Sequence, residues 1–155
     1  MVNTVYYCPG VAMNTTNATD MTAIQETWDA LAGRRIVLVE TFYSRLFDRN
    51  PEYRGLFPES MTPQKEKMVE MISSVARFID QVDLIRPYLV NVGAAHRGTG
   101  ITAGDIENFK EVFIDTLAFT CSERWESRHE KAWREVFDEV IVPIFSEGLE
   151  GGAES

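Results

Sequence analysis

The chain has 155 residues, of which 45% are hydrophobic and 25% charged, with a formal net charge of -9 and a pI near 4.7. That length suits a single domain burying roughly two thirds of its unfolded surface, and an acidic excess of this kind excludes a nucleic-acid surface, which needs clustered Lys and Arg. The two cysteines, Cys8 and Cys121, are far apart and form no CxxC, so neither a thiolate zinc site nor a disulfide scaffold is expected and both read as free thiols.

Residues 1–20 are rich in Asn and Thr without a sustained period and read as a loosely structured N-terminal extension. They lack the basic start and continuous apolar run of a signal peptide, and no later run is long enough to cross a bilayer, so the expected location is cytoplasmic and off the membrane. The sequons at Asn14 and Asn17 then carry no meaning. A folded domain is expected over 21–150, with 151–155 as a tail. Thr22-x-x-Gln25 matches a capping box, and Ile24, Trp28 and Leu31 recur at helical spacing until Gly33. A second helix from about Arg34 carries Ile36, Val39, Phe42, Tyr43, Leu46 and Phe47 on one broad apolar face and is interrupted at Asn50-Pro51. Pro51 suits the first turn of a short helix, and Arg54 to Pro58 bends the path.

Residues 63–80 form a long amphipathic helix with Met68, Met71, Ile72, Val75, Phe78 and Ile79 along one stripe. Pro87 is expected to start a short helix whose Leu89, Val92 and His96 share a face, with Gly98 and Gly100 ending it. Thr102-x-x-Asp105 caps the next helix, which runs through Ile106, Phe109, Phe113, Ile114 and Leu117. The last helix holds Trp133, Val136, Phe137, Val140, Ile141 and Ile144, with Pro143 as a source of a kink. With no strand alternation, phosphate loop or repeat, the expected fold class is all-α, with about seven or eight helices.

His96 is one of only two histidines and ends an apolar helix just before a glycine turn, where a neutral imidazole can face inward and ligate iron; taken alone, such a histidine is more often a satisfied core or surface residue. His129 lies in the polar stretch Glu126 to Glu130 and is expected to be exposed. Three motifs occur in order: Phe42-Tyr43-x-x-Leu46-Phe47, then Asn50-Pro51-Glu52-x-x-x-Leu56-Phe57, then His96-x-x-x-Gly100-Ile101, thirty-nine residues after Phe57. Together with Trp133 they resemble the globin family over residues 22–148, and within it the bacterial single-domain hemoglobins related to the globin domain of flavohemoglobins.

The resemblance implies a globin fold enclosing heme b. His96 is then the proximal iron ligand, Phe57 packs against the heme plane, and Tyr43 and Gln64 face the distal side. The residue chemistry agrees: a tyrosine on an apolar helical face needs a buried hydrogen-bond partner, which bound dioxygen or a backbone carbonyl could supply. Gln64 stands one turn before Met68, so the two line one side of a pocket. Met68 occupies a position where the family usually has Leu or Val against the ligand, and Lys67 could reach a heme propionate. Leu89, Val92, Ile101, Phe109 and Phe137 would supply apolar walls.

The resemblance also has departures. Flavohemoglobin-like globins often place a tyrosine ten residues beyond the proximal histidine, paired with a glutamate in the last helix. Here those positions are Ile106 and, by gapless matching, Gly148, so the network that makes the imidazole more electron-donating is expected to be missing. The resulting expectation is a heme protein that reversibly binds O2, CO and NO with tight distal hydrogen bonding, as a monomer or weak homodimer. The enzyme alternative is a nitric oxide dioxygenase served by an external reductase, and the third reading is a gas sensor acting through a separate partner.

Overall fold

The computed structural model describes residues 20–151; the rest of the N-terminal extension, with Cys8 and both sequons, and residues 152–155 lie outside the described residues. Among the described residues there are seven α-helices and no strand. They are α1 (Met21–Ala30), α2 (Arg35–Arg49), α3 (Thr62–Arg77), α4 (Val82–Ala94), α5 (Ala103–Cys121), α6 (Ser127–Val136) and α7 (Val142–Gly151). A 3-10 turn, Pro51–Leu56, joins α2 to the approach to α3, as Pro51 leads one to expect.

Helix α1 is capped by Asp20, whose Oδ1 accepts the Ala23 N–H at 3.0 Å, and not by Thr22. The carboxylate stands where the orphan donors of the first turn point, whereas Thr22 is already inside the helix and exposed. On α2 the buried face begins at Leu38 and continues through Val39, Phe42, Tyr43 and Leu46; Ile36 is 41% exposed and lies off that face. The expected capping box at α5 is present, with Thr102 Oγ1 accepting from Asp105 N at 3.1 Å and Asp105 Oδ2 accepting from Thr102 N at 2.9 Å.

Aromatic rings run through the middle of the core. Phe42 meets Phe109 and Phe113 with centroids 4.8 and 5.6 Å away, and Phe113 meets Phe137 and Trp133 at 5.7 and 6.1 Å. Such edge-on and tilted contacts add about 0.5–1.5 kcal/mol per pair to area burial and lock α2, α5 and α6 together. Trp28 Nε1 donates to Ser73 Oγ at 2.9 Å, joining α1 to α3.

Pro87 does not start α4; it sits inside it, as its sixth residue. Its missing N–H forfeits one bond to the Asp83 carbonyl, yet the helix persists because its Ile85 and Leu89 side chains are buried and its far half is held against α7. A Cβ on Gly93 would lie 2.0 Å from the Phe145 carbonyl oxygen, and one on Gly148 would lie 2.0 Å from that of Val90. Glycine at these two positions lets the backbones of α4 and α7 touch.

Pro143 perturbs the C-terminal helical run one turn upstream of itself. Without an N–H at 143, the Glu139 carbonyl loses its partner four residues on, and residues Phe137–Ile141 widen into a π-turn in which the Val142 N–H donates to Phe137 O. His129 is also placed differently from expectation: it is 6% exposed. Its Nδ1 accepts the Glu126 N–H at 3.0 Å, its Nε2 stands 3.2 Å from Glu26 Oε1 on α1, and its ring lies over Trp125 at 5.8 Å. The polar sequence around it faces outward while the imidazole folds back to cap α6.

Candidate functional site

The turn after α4 carries His96. Backbone hydrogen bonds from His96 N to Gly93 O and Arg97 N to Ala94 O, at 3.0 and 3.1 Å, coil the chain tightly past the helix end, and Thr99 Oγ1 donates to His96 O at 2.6 Å. Arg97 Nε donates to the Gly148 carbonyl at 2.8 Å, so this turn is tied to α7. The His96 ring is half-buried, 5.0 Å from Phe145. Its Nδ1 is 2.8 Å from the Val92 carbonyl, an acceptor only, so Nδ1 carries the proton and donates. In the neutral ring Nε2 then keeps its lone pair, the state a metal-ligating imidazole requires.

The sequence-selected residues fall into two groups. Tyr43 is 3% exposed, its ring 5.6 Å from Phe57 and 5.9 Å from Phe47, and Phe47 and Phe57 are 5.4 Å apart. Gln64 Nε2, in the first turn of α3, donates to Tyr43 Oη at 3.2 Å. The tyrosine oxygen thus has a side-chain amide N–H as its partner. Burial raises the Tyr43 phenol above its ordinary value, with the Gln64 hydrogen bond opposing, so the hydroxyl stays protonated. Because Gln64 donates into the oxygen, the hydroxyl's own hydrogen is left over. Met68, one turn further along α3, is buried, while Lys67 is exposed.

His96, Val92 and Leu89 occupy α4 and its exit, with Leu89 wholly buried and Val92 half-buried. Phe109 lies in the core behind the first group: it contacts Phe42, which abuts Tyr43 at 4.9 Å, and it stands 6.3 Å from the buried Phe137. Ile101 is half-buried at the approach to α5. Among the described residues, no group of three or more His, Cys, Asp or Glu side chains could cage a metal. A single free imidazole nitrogen suits a metal whose other ligands come from a prosthetic group.

Sequence reasoning missed Arg97 and Phe145, which hold the His96 turn, and it gave Gly93 no role. The interior glycine of α4 was the available signal, since a helical glycine costs about 1 kcal/mol relative to alanine and calls for a close backbone approach. Gly148 leaves no room for any side chain, and neighbouring Glu147 faces solvent, paired with Arg86 at 2.9 Å. With Ile at 106, His96 has a neutral carbonyl as its hydrogen-bond partner.

Comparisons with known proteins bear on the fold and the family. The chain is 21% identical over 151 residues to a neuroglobin of Tetraodon nigroviridis, covering 88% of this chain and 94% of that protein. It is 20% identical over 144 residues to a neuroglobin of Chaenocephalus aceratus, covering 83% and 89%. In fold it is similar to a bacterial globin of Campylobacter jejuni, with a TM-score of 0.75 at 17% identity over 87% of this chain and 97% of that one. It is likewise similar to an engineered carbene transferase from Rhodothermus marinus, with a TM-score of 0.76 at 21% identity over 86% and 94%. The globin family model matches residues 40–144, more than half the sequence, and the chain belongs to the globin family.

Proposed function

We propose that this globin binds O2, and also CO and NO, reversibly at a single non-covalently held heme b. Absence of a Cys-x-x-Cys-His sequence argues against covalent attachment. Heme would supply an iron that takes a ligand from the protein and can also take up a diatomic gas. His96 fits the protein position, since its Nδ1 is committed to Val92 and its Nε2 is free. Phe57, Met68, Leu89, Val92, Ile101, Phe109 and Phe137 are assigned to the apolar surround, which excludes water, and Lys67 to the exposed edge, where its ammonium would meet a propionate.

The Gln64–Tyr43 hydrogen bond carries this reading. It orients a buried phenol and spares its hydrogen for an acceptor, and a gas that gains negative charge on binding is such an acceptor. A donor of this kind slows ligand release, which favours retention over bulk delivery. The proximal side favours binding over oxygen activation, because His96 receives no push from a carboxylate. A dioxygenase role would draw its electrons from an external reductase.

Absorption spectra of the heme-reconstituted protein in ferric, reduced, oxygenated and carbonmonoxy forms test the reading. A Soret band and a stable oxygenated spectrum are expected, and their absence overturns it. Tyr43→Phe should speed O2 dissociation about tenfold, the equivalent of a hydrogen bond worth ~1.4 kcal/mol. Unchanged dissociation in both Tyr43→Phe and Gln64→Ala removes the distal assignment.

A further inference from the structure

The 3-10 turn Pro51–Leu56 leads directly into Phe57, and α5 begins seven residues after His96. Tyr53 of the turn reaches across to α5, donating from its hydroxyl to Asp105 Oδ1 at 2.6 Å, while Asn108 Nδ2 donates to the same hydroxyl at 3.4 Å. Asp105 divides its oxygens: Oδ1 takes Tyr53, and Oδ2 takes the Thr102 N–H that caps α5. A phenol to carboxylate bond of this length is charge-assisted and of the stronger class. The bond thus ties the turn that leads into Phe57 to the start of the helix that follows the His96 turn.

We infer that Tyr53 and Asp105 form a latch between the Phe57 corner and the start of α5, positioning residues that hold the pocket shut and set the rate of heme escape. This rests on the heme-binding reading above. The bond from Tyr53 is the first cause holding the Asp105 carboxyl below its usual range, ahead of the Thr102 backbone, so the acceptor is ionised at neutral pH. Tyr53 is half-buried and its hydroxyl makes no contribution to the central core, so its removal leaves the fold intact.

The test compares Tyr53→Phe, which removes the latch bond, with Thr102→Ala, which removes the side-chain half of the α5 cap and keeps Tyr53 and the Asp105 carboxylate. Ferric holoprotein is mixed with excess apomyoglobin as heme acceptor, and amide hydrogen exchange is followed separately in apo- and holoprotein. Tyr53→Phe should raise the heme transfer rate about tenfold with an unchanged Soret band, and should speed exchange in both 51–57 and 102–106. Thr102→Ala should lower the melting temperature yet leave heme transfer within about twofold. Equal heme loss in the two variants, or wild-type transfer in Tyr53→Phe, overturns the latch. If no variant, nor the wild type, takes up heme, the heme-binding reading fails and the escape role with it. Exchange in the apoprotein still decides then whether Tyr53 ties the two segments.

Discussion

Replacing Gly148 with alanine opposes two effects that the structure puts on a common scale. An added Cβ would stand 2.0 Å from the Val90 carbonyl oxygen, 2.8 Å from its carbon and 3.0 Å from its Cα, where ordinary contact begins at 3.4 Å. All three atoms are backbone, so no rotamer relieves the clash and α4 and α7 must separate by more than about 1 Å. Overpacking of this type costs about 1–3 kcal/mol and here falls at the upper end, while better helix propensity returns about 1 kcal/mol. The expected net loss is about 2 kcal/mol, or a fall of about 4–8 °C in melting temperature for a chain of this size. Because Arg97 bonds to the Gly148 carbonyl and the His96 ring lies against Phe145, heme retention should drop as well. Denaturant unfolding of the apoprotein measures the first effect, with an unchanged m-value expected. Gly104→Ala is the control: its Cβ meets only Thr102 Oγ1, at 3.7 Å, so it should be neutral or slightly stabilising. If Gly148→Ala is as stable as that control, the close approach of α4 and α7 is refuted.

Three other expectations separate the chemistry of the remaining groups. His96→Ala should abolish heme uptake, whereas His129→Ala should keep the Soret band and lose about 1–2 kcal/mol of stability, since it uncaps α6 and leaves the Glu126 N–H unsatisfied; equal heme uptake by both variants would contradict the assignment of His96. On acidification, hydrogen bonds from His129 and Arg128 to Glu26, from Tyr53 to Asp105 and from Arg134 to Glu111 each lower the carboxyl pKa in the folded state. Depressed folded values mean stability that is fully present above the unfolded value of about 4 and is lost as the pH falls through the folded one, so the melting temperature should be flat from pH 7 to about 5 and decline below about 4. Glu111→Gln should flatten part of that acid limb in calorimetry, and an unaltered limb would exclude the Arg134 pair as a contributor. Finally, oxygenated protein mixed with one equivalent of NO should yield one equivalent of nitrate and stay ferric until a reductant is added; spontaneous return to the ferrous state would argue against dependence on an external donor.

Helix positions were legible wherever the local signal and the tertiary packing agreed, as in the Thr102–Asp105 cap and the long stripe of α3. They were not legible where a distant segment decided. Pro87 reads locally as a helix start, yet helix–helix contact around Gly93 carries α4 through it. His129 reads as exposed from its charged neighbours, and only the approach of α1 with Glu26 buries it. The candidate site was legible as residue types in order, but not the Gln64–Tyr43 bond or the Tyr53–Asp105 bond. Each joins residues 21 or 52 positions apart, whose meeting depends on the crossing of helices rather than on periodicity.

The π-turn at Phe137–Ile141 acts as a phase adjuster. A wide turn absorbs one residue more than an α-turn over the same rise, so everything after Ile141 is rotated by about 100° relative to an uninterrupted helix. That rotation is what brings Gly148 under Val90 and Phe145 beside His96. Regularising the turn without losing a residue would dial Gly148 away and offer α4 the Glu147 side chain where only a hydrogen fits, whereas deleting one residue within it would restore a regular helix with Gly148 still under Val90. The integrity of the His96 setting therefore depends on the width of one turn some forty positions downstream of it.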